Sequence, residues 1–135
     1  MSKYHLHKLR VRYGETDQMG FVYYGNYSLY LEEARTEMLR SRGFSYKALE
    51  ESGIWMPVVK LEINYKKPAV YDELIAIKTK IEGNIDRKIC FSSEVLNEKE
   101  VLLCTAKVHL VFLKHPEGKI VTCPSSIRDL LEVYQ

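Results

Sequence analysis

The chain reads as an α+β protein in which one long central helix is wrapped by a curved antiparallel sheet of five or six strands. Three features of the sequence predict this. A strand-like opening segment breaks off into an irregular loop, an amphipathic run from Asn26 to Arg42 follows at once, and alternating segments then succeed one another from Val59 to Lys114. The 135 residues are read as one domain, residues 1–135. A chain of this size buries about two thirds of the surface its unfolded form exposes.

In "HLHKLRVRY", residues 5–13, Leu6, Leu9 and Val11 alternate with charged residues as in a strand, although the register is imperfect. Gly14 to Gly25 contains three glycines and almost no periodicity, which marks a loop. Asn26 stands where a helix N-cap is expected. Tyr27, Tyr30, Leu31, Ala34, Met38 and Leu39 then recur at three- and four-residue spacing, and Gly43 supplies the stop. Ala34 permits close approach to a sheet, whereas Glu32, Glu33, Arg35, Glu37 and Arg40 are expected on the outer side. "SYKALEES" predicts a short second helix ended by Gly53.

Strands are expected at Val59–Lys66, ended by Pro68, and at Ile75–Ile81 and Ile89–Val95, joined by the turn "GNIDRK". "VLLCTAKVHLVFLK", residues 101–114, is nearly continuous in apolar residues and suits a central strand. Ile120 and Val121 allow a brief pairing, and "PSSIRDLLEVY" predicts a closing helix. These strands are expected in meander order. A fourteen-residue strand extends about 45 Å and the helix about 25 Å, so a curved sheet around one helix is the economical solution.

Composition narrows the function. Hydrophobic residues form 46% and charged residues 28% of the chain, which is the balance of a soluble globular protein. No run approaches the roughly 18 apolar residues of a membrane span, and "MSKYHLHKLR" lacks the apolar core of a signal peptide. A cytoplasmic location is therefore expected. The net charge of +2 does not argue for a nucleic-acid partner but leaves room for a small anionic ligand. Cys90, Cys104 and Cys123 are odd in number and set among apolar residues, as reduced buried thiols would be.

Asp17 is the residue that could carry chemistry. Single loop aspartates commonly bond their own backbone in a turn, but this one precedes "VYYGNY", which brings backbone N–H groups to a helix N-terminus. Such donors suit a carbonyl oxygen that becomes an oxyanion. A carboxylate beside them is what ester or thioester hydrolysis needs, as a general base toward water or as a nucleophile. The sequence leaves both roles open.

The run "VRYGETDQMGFVYYGNYSLYLEEARTEMLR" resembles the 4-hydroxybenzoyl-CoA thioesterase family of hotdog-fold enzymes, and within it the bacterial Tol-Pal-associated acyl-CoA thioesterases. The shared elements are "Y..TD..G.VYY.NY" and "EARTEMLR", with compatible spacing as far as "PSSI". The resemblance implies acyl-CoA hydrolysis without metal or cofactor. It places the catalytic aspartate at Asp17 and the carbonyl-polarising amide at Tyr24, beside Gly25, with Asn26 and Tyr27 shaping the substrate pocket. It also implies edge-to-edge homodimers with a site at each interface, commonly joined as a homotetramer. Many enzymes of that bacterial branch have histidine where this chain has Tyr24, which puts in doubt any mechanism built on an imidazole there.

CoA phosphates call for cations near strand ends, and Arg87, Lys88, Lys66 and Lys67 are candidates; each also suits a solvated sheet edge. An acyl carrier protein thioester is an alternative substrate. Trp55 and Met56 are placed beside the pocket, for acyl contact or core packing. Glu33 and Glu37 read as a charged helix face, His5 and His7 as a partly exposed strand face, and His109 as a hydrogen-bonded interior residue. Two other functions remain. A non-catalytic acyl-thioester-binding or scaffolding module would not need Asp17, and a hydratase or dehydratase would want a histidine in its loop.

Overall fold

A computed structural model describes residues 3–135 of the chain. Strand β1, His5–Arg10, leads into the loop, and helix α1, Tyr27–Ser41, follows it. Helix α2, Tyr46–Glu51, strand β2, Ile54–Trp55, and strand β3, Val58–Tyr65, come next. The chain continues with β4, Leu74–Glu82, β5, Lys88–Leu96, β6, Leu102–Val111, β7, Leu113–Lys114, β8, Lys119–Ile120, and helix α3, Ser125–Leu131. The main sheet is antiparallel in the order β1-β4-β5-β6-β3, and β2-β7-β8 form a small second sheet.

The expected meander holds for β4, β5 and β6 only. β3 lies at one edge beside β6, so residues 66–73 must cross the end of the sheet to reach β4. The fourteen-residue strand also divides. Val111 and Phe112 turn their amides to the carbonyls of Pro57 and Arg87, both at 3.2 Å, and the chain passes from the main sheet into the small one. Phe112, between the two strands, is fully buried.

The inner face of the sheet presents Ile75, Ile77, Phe91, Val95, Ala106 and Val108 to the apolar stripe of α1, namely Tyr27, Tyr30, Leu31, Ala34, Met38 and Leu39. Burial of this surface, at about 25 cal/mol per Å², is what holds helix to sheet. The one polar pair in that face, Thr79 and Ser93, is satisfied by a hydroxyl hydrogen bond of 2.9 Å. Gly43 ends α1 at φ +88, with its amide on the Arg40 carbonyl and that of Phe44 on Leu39, both at 3.0 Å. Arg35 departs from expectation: it is only 8% exposed, beside Tyr46, so the apolar stripe is flanked by a guanidinium.

Candidate active site

The loop between β1 and α1 folds as a short irregular hairpin. The 3-10 turn Tyr13–Glu15 opens it, Thr16 bridges to Val22, and Phe21 bridges to Val70 in the crossing segment. Val22 donates to the Ala69 carbonyl at 2.9 Å, and Ala69 donates to the Tyr27 hydroxyl at 3.3 Å. The crossing that disrupts the meander is therefore the floor on which the loop rests.

Asp17 takes the turn role expected of a loop aspartate. Its Oδ1 accepts the amides of Met19 at 2.9 Å and Phe21 at 3.2 Å, and its backbone closes a turn through Phe21 and Gly20. Gly20 at φ +79 makes that turn without strain. One oxygen is thus used to aim the group, and Oδ2 has no partner among the described residues. The half-buried carboxylate faces a concavity of about 760 Å³ lined by Tyr13, Gly14, Thr16, Gln18, Gly20 and Tyr71. A separate hollow on the outer face of the sheet, lined by Leu6, Lys8 and Lys78 among others, contains no residue of this loop.

Across the hairpin, the 3-10 turn Tyr24–Asn26 leads into α1. The amides of Tyr24 and Gly25 stand ahead of the first helical hydrogen bonds and have no acceptor among the described residues. Both residues are exposed, Tyr24 at 65%, with its ring tilted against Tyr23. A side chain at Gly25 would begin 2.8 Å from the Tyr23 ring, so only glycine fits without a shift.

Asn26 does not act as the expected cap. It has helical backbone angles, and its Nδ2 donates 2.8 Å back to the Glu15 carbonyl. Tyr27 is buried in the core, where burial raises its pKa above the ordinary phenol value. Its hydroxyl serves the crossing segment rather than the concavity.

Glu15 is the residue that sequence reasoning missed. Its carbonyl accepts both Asn26 Nδ2 and the Tyr23 amide, and its Oε1 accepts the Arg12 amide at 2.8 Å and the Tyr30 hydroxyl at 2.9 Å. One residue ties the Asp17 arm, the Tyr24 arm and the helix together. Its only local signal was a glutamate at the third position of the 3-10 turn, where it reaches back to the Arg12 amide. Burial first, and then the Glu15 carboxylate, push the Tyr30 phenol well up.

Arg87 and Lys88 are exposed but lie at the other end of the sheet. Lys88 pairs with Val111 and Tyr65 with Cys104, so about 23 Å of β6 separates them. Tyr65 belongs to the loop's end, since its hydroxyl donates 3.4 Å to the Tyr24 carbonyl. Lys66 and Lys67 share that end, their amides both on the Leu103 carbonyl. Trp55 and Met56 sit with Arg87, not beside Asp17 of their own chain.

His7 and Glu33 meet at 2.5 Å, joining the first strand to the charged face of α1. Burial and His7 lower the pKa of His5. His109 is half-buried on the outer face, 3.9 Å from Cys90, rather than interior. Cys104 and Cys123 are buried, and burial pushes their thiols up to about 12 and about 11; Cys90 is only half-buried.

A long helix gripped by a curved antiparallel sheet is the architecture of the hotdog class of proteins. The chain belongs to the thioesterase-like superfamily, whose family model matches residues 11–131. It is 34% identical over 119 residues to the acyl-CoA thioester hydrolase YbgC of Escherichia coli O157:H7, covering 88% of this chain and 89% of that one. YneP of Bacillus subtilis is 40% identical over 90 residues, spanning 67% of this chain and 65% of its own. The crystal structure of the DHNA-CoA thioesterase of Staphylococcus aureus superposes with a TM-score of 0.88 at 35% identity, over 97% of this chain and 88% of that one.

Proposed function

We propose that this protein is a cytoplasmic acyl-CoA thioesterase of the Tol-Pal-associated branch, with Asp17 as the catalytic carboxylate and the amides of Tyr24 and Gly25 as the oxyanion donors. The single observation that carries the reading is the arrangement of the hairpin: a carboxylate held by one oxygen faces a concavity, and two unpartnered amides occupy the opposing arm. The thioester carbonyl accepts from those amides, and Asp17 either takes a proton from water as the water attacks or attacks the carbonyl itself. The acyl–sulfur bond breaks, and the thiolate leaves and takes up a proton; on the nucleophilic route water then cleaves the acyl–Asp17 anhydride, releasing the acid and restoring the carboxylate. No imidazole is required, which suits a site with Tyr24 in place of histidine. Tyr27 braces the floor of the pocket, and Asn26 fixes the amide arm through Glu15.

The chain acts as a homodimer joined through β3 and, by the same reading, as a tetramer of two such dimers. In support, β3 is an edge strand that exposes Val59 at 59%, Leu61 at 43% and Tyr65 at 50%, more apolar surface than a solvated edge carries. Antiparallel pairing of two β3 strands brings one protomer's Tyr65 end against its partner's Val58 end. The cations Arg87 and Lys88 then approach the site from across the interface, where CoA phosphates would meet them.

Thiol release from a panel of acyl-CoA and acyl carrier protein thioesters, by wild type and Asp17→Asn, tests the reading. Wild type is expected to turn over and the variant to lose about 10²-fold or more, the low end of what a positioned base supplies. Equal slow release by both proteins overturns the role of Asp17. Binding without turnover by wild type overturns the enzyme and leaves a binding module.

A further inference from the structure

At the end of the sheet remote from Asp17, the small sheet holds Trp55, the single tryptophan of the chain, flat against His115. The rings are 3.8 Å apart at 10°, and Trp55 remains 42% exposed. The backbone under both rings is tied down. Trp55 pairs with Leu113 across β2 and β7, and the His115 amide donates 2.8 Å to the Gly53 carbonyl. His115 covers one face of the indole, so a flat planar surface is held ready at the surface without a core to fill.

Cations gather around this pair. Phe112, next to Leu113, donates to the Arg87 carbonyl, and Lys88 pairs with Val111. Arg87, Lys88, Lys114 and Lys119 stand against Asp86 and Glu117 at this end, all exposed. A planar aromatic platform with a surplus of positive charge beside it matches a ligand that is a flat base at one point and phosphates at another. Stacking on such a platform is tolerant of base identity and adds to charge attraction. Because the two rings already stack on one another, part of the ordering that binding requires is in place beforehand.

We propose that the Trp55–His115 stack is the platform for the adenine ring of a CoA thioester, with Arg87 and Lys88 meeting its phosphates. The identity of the ligand rests on the thioesterase reading; the platform itself does not. Edge pairing of two β3 strands places it beside the partner's Asp17 loop, so a thioester is gripped by its nucleotide on one protomer while it reacts on the other.

The lone tryptophan provides a direct test. Adenosine 3′,5′-bisphosphate titrated into the wild-type protein is expected to quench Trp55 fluorescence saturably, and His115→Ala is expected to weaken that binding several-fold. Inorganic tripolyphosphate is the charge-only control; a quench as large as that of the nucleotide means a response to phosphate alone and overturns the platform. Kinetically, the ratio of kcat/KM for an acyl-CoA to that for the matching acyl-pantetheine thioester, which lacks the nucleotide, is expected to fall roughly 5- to 160-fold in Trp55→Ala, the range stacking supplies per base. Trp55→Phe should retain most of the ratio. An unchanged ratio overturns the proposal, as does the absence of a saturable quench. Saturable nucleotide binding by a protein that hydrolyses no thioester would uphold the platform and discard the thioesterase reading.

Discussion

Replacing Glu15 should damage the protein in two separable ways. Its side chain is 21% exposed and accepts from the Arg12 amide and from the hydroxyl of Tyr30, a residue buried to 3%. In Glu15→Ala the phenol loses its acceptor in a place water does not readily reach, and a buried unsatisfied group costs about 1–3 kcal/mol. Loss of the amide bond from Arg12 adds about 0.5–1.5 kcal/mol. Urea denaturation should therefore show roughly 2–4 kcal/mol of destabilisation. Glu15→Gln keeps an acceptor for both donors and should lose about 1 kcal/mol or less, the difference between a charge-assisted and a neutral hydrogen bond. The turn that carries Tyr24 hangs from the Glu15 backbone carbonyl, which the substitution keeps, so thiol release in Glu15→Ala should fall no further than the lost stability explains. A loss below about 0.5 kcal/mol in Glu15→Ala would refute the account of Glu15 as the tie between loop and helix, since that is the scatter of ordinary surface substitutions.

Tyr27, Tyr30 and Tyr46 each have a phenol pKa raised in the folded chain, burial being the first cause in every case. A raised pKa stabilises below the unfolded value, near 10, and that contribution is lost as pH climbs toward the folded value; thermal unfolding should thus begin to move down above about pH 10. Gly25→Ala should cost stability and activity together, and Tyr23→Ala in the same chain should restore part of both by clearing the ring 2.8 Å from the added carbon. Asp17→Asn should change the urea midpoint little, because an amide oxygen can still accept from Met19 and Phe21, so its loss of turnover should be chemical rather than structural. Leu61→Lys should yield monomers in analytical ultracentrifugation, with turnover lost in proportion to the dimer.

Much of this was legible because it is local. Helix α1 and strands β4 and β5 announce themselves by periodicity, and Gly43 stops the helix where a glycine should. The place of β3 beside β6 was not legible, since nothing in Val58–Tyr65 says which strand supplies its partner. Nor was the break at Phe112, where an unbroken apolar run conceals a change of sheet. Charge alone places Arg35 on the outer side, but α2 packs over it and buries it beside Tyr46. At the site, Asp17 could be picked out by residue type and company. Glu15 could not, because its meaning lies in Tyr30 and Asn26, which come within reach only once the hairpin has folded.

The crossing segment also sets an order of assembly. Ala69 can hold Val22 and Tyr27 only when residues 66–73 are stretched across the sheet, and they are stretched only when β3 has found β6. The loop that carries Asp17 is made early on the ribosome, yet it has no floor until Leu102–Val111 has been made and paired. Activity should therefore be absent from nascent and truncated chains and arrive in one step with closure of the sheet. The Val22 amide, bonded to the crossing segment, should exchange its hydrogen only when the whole molecule opens.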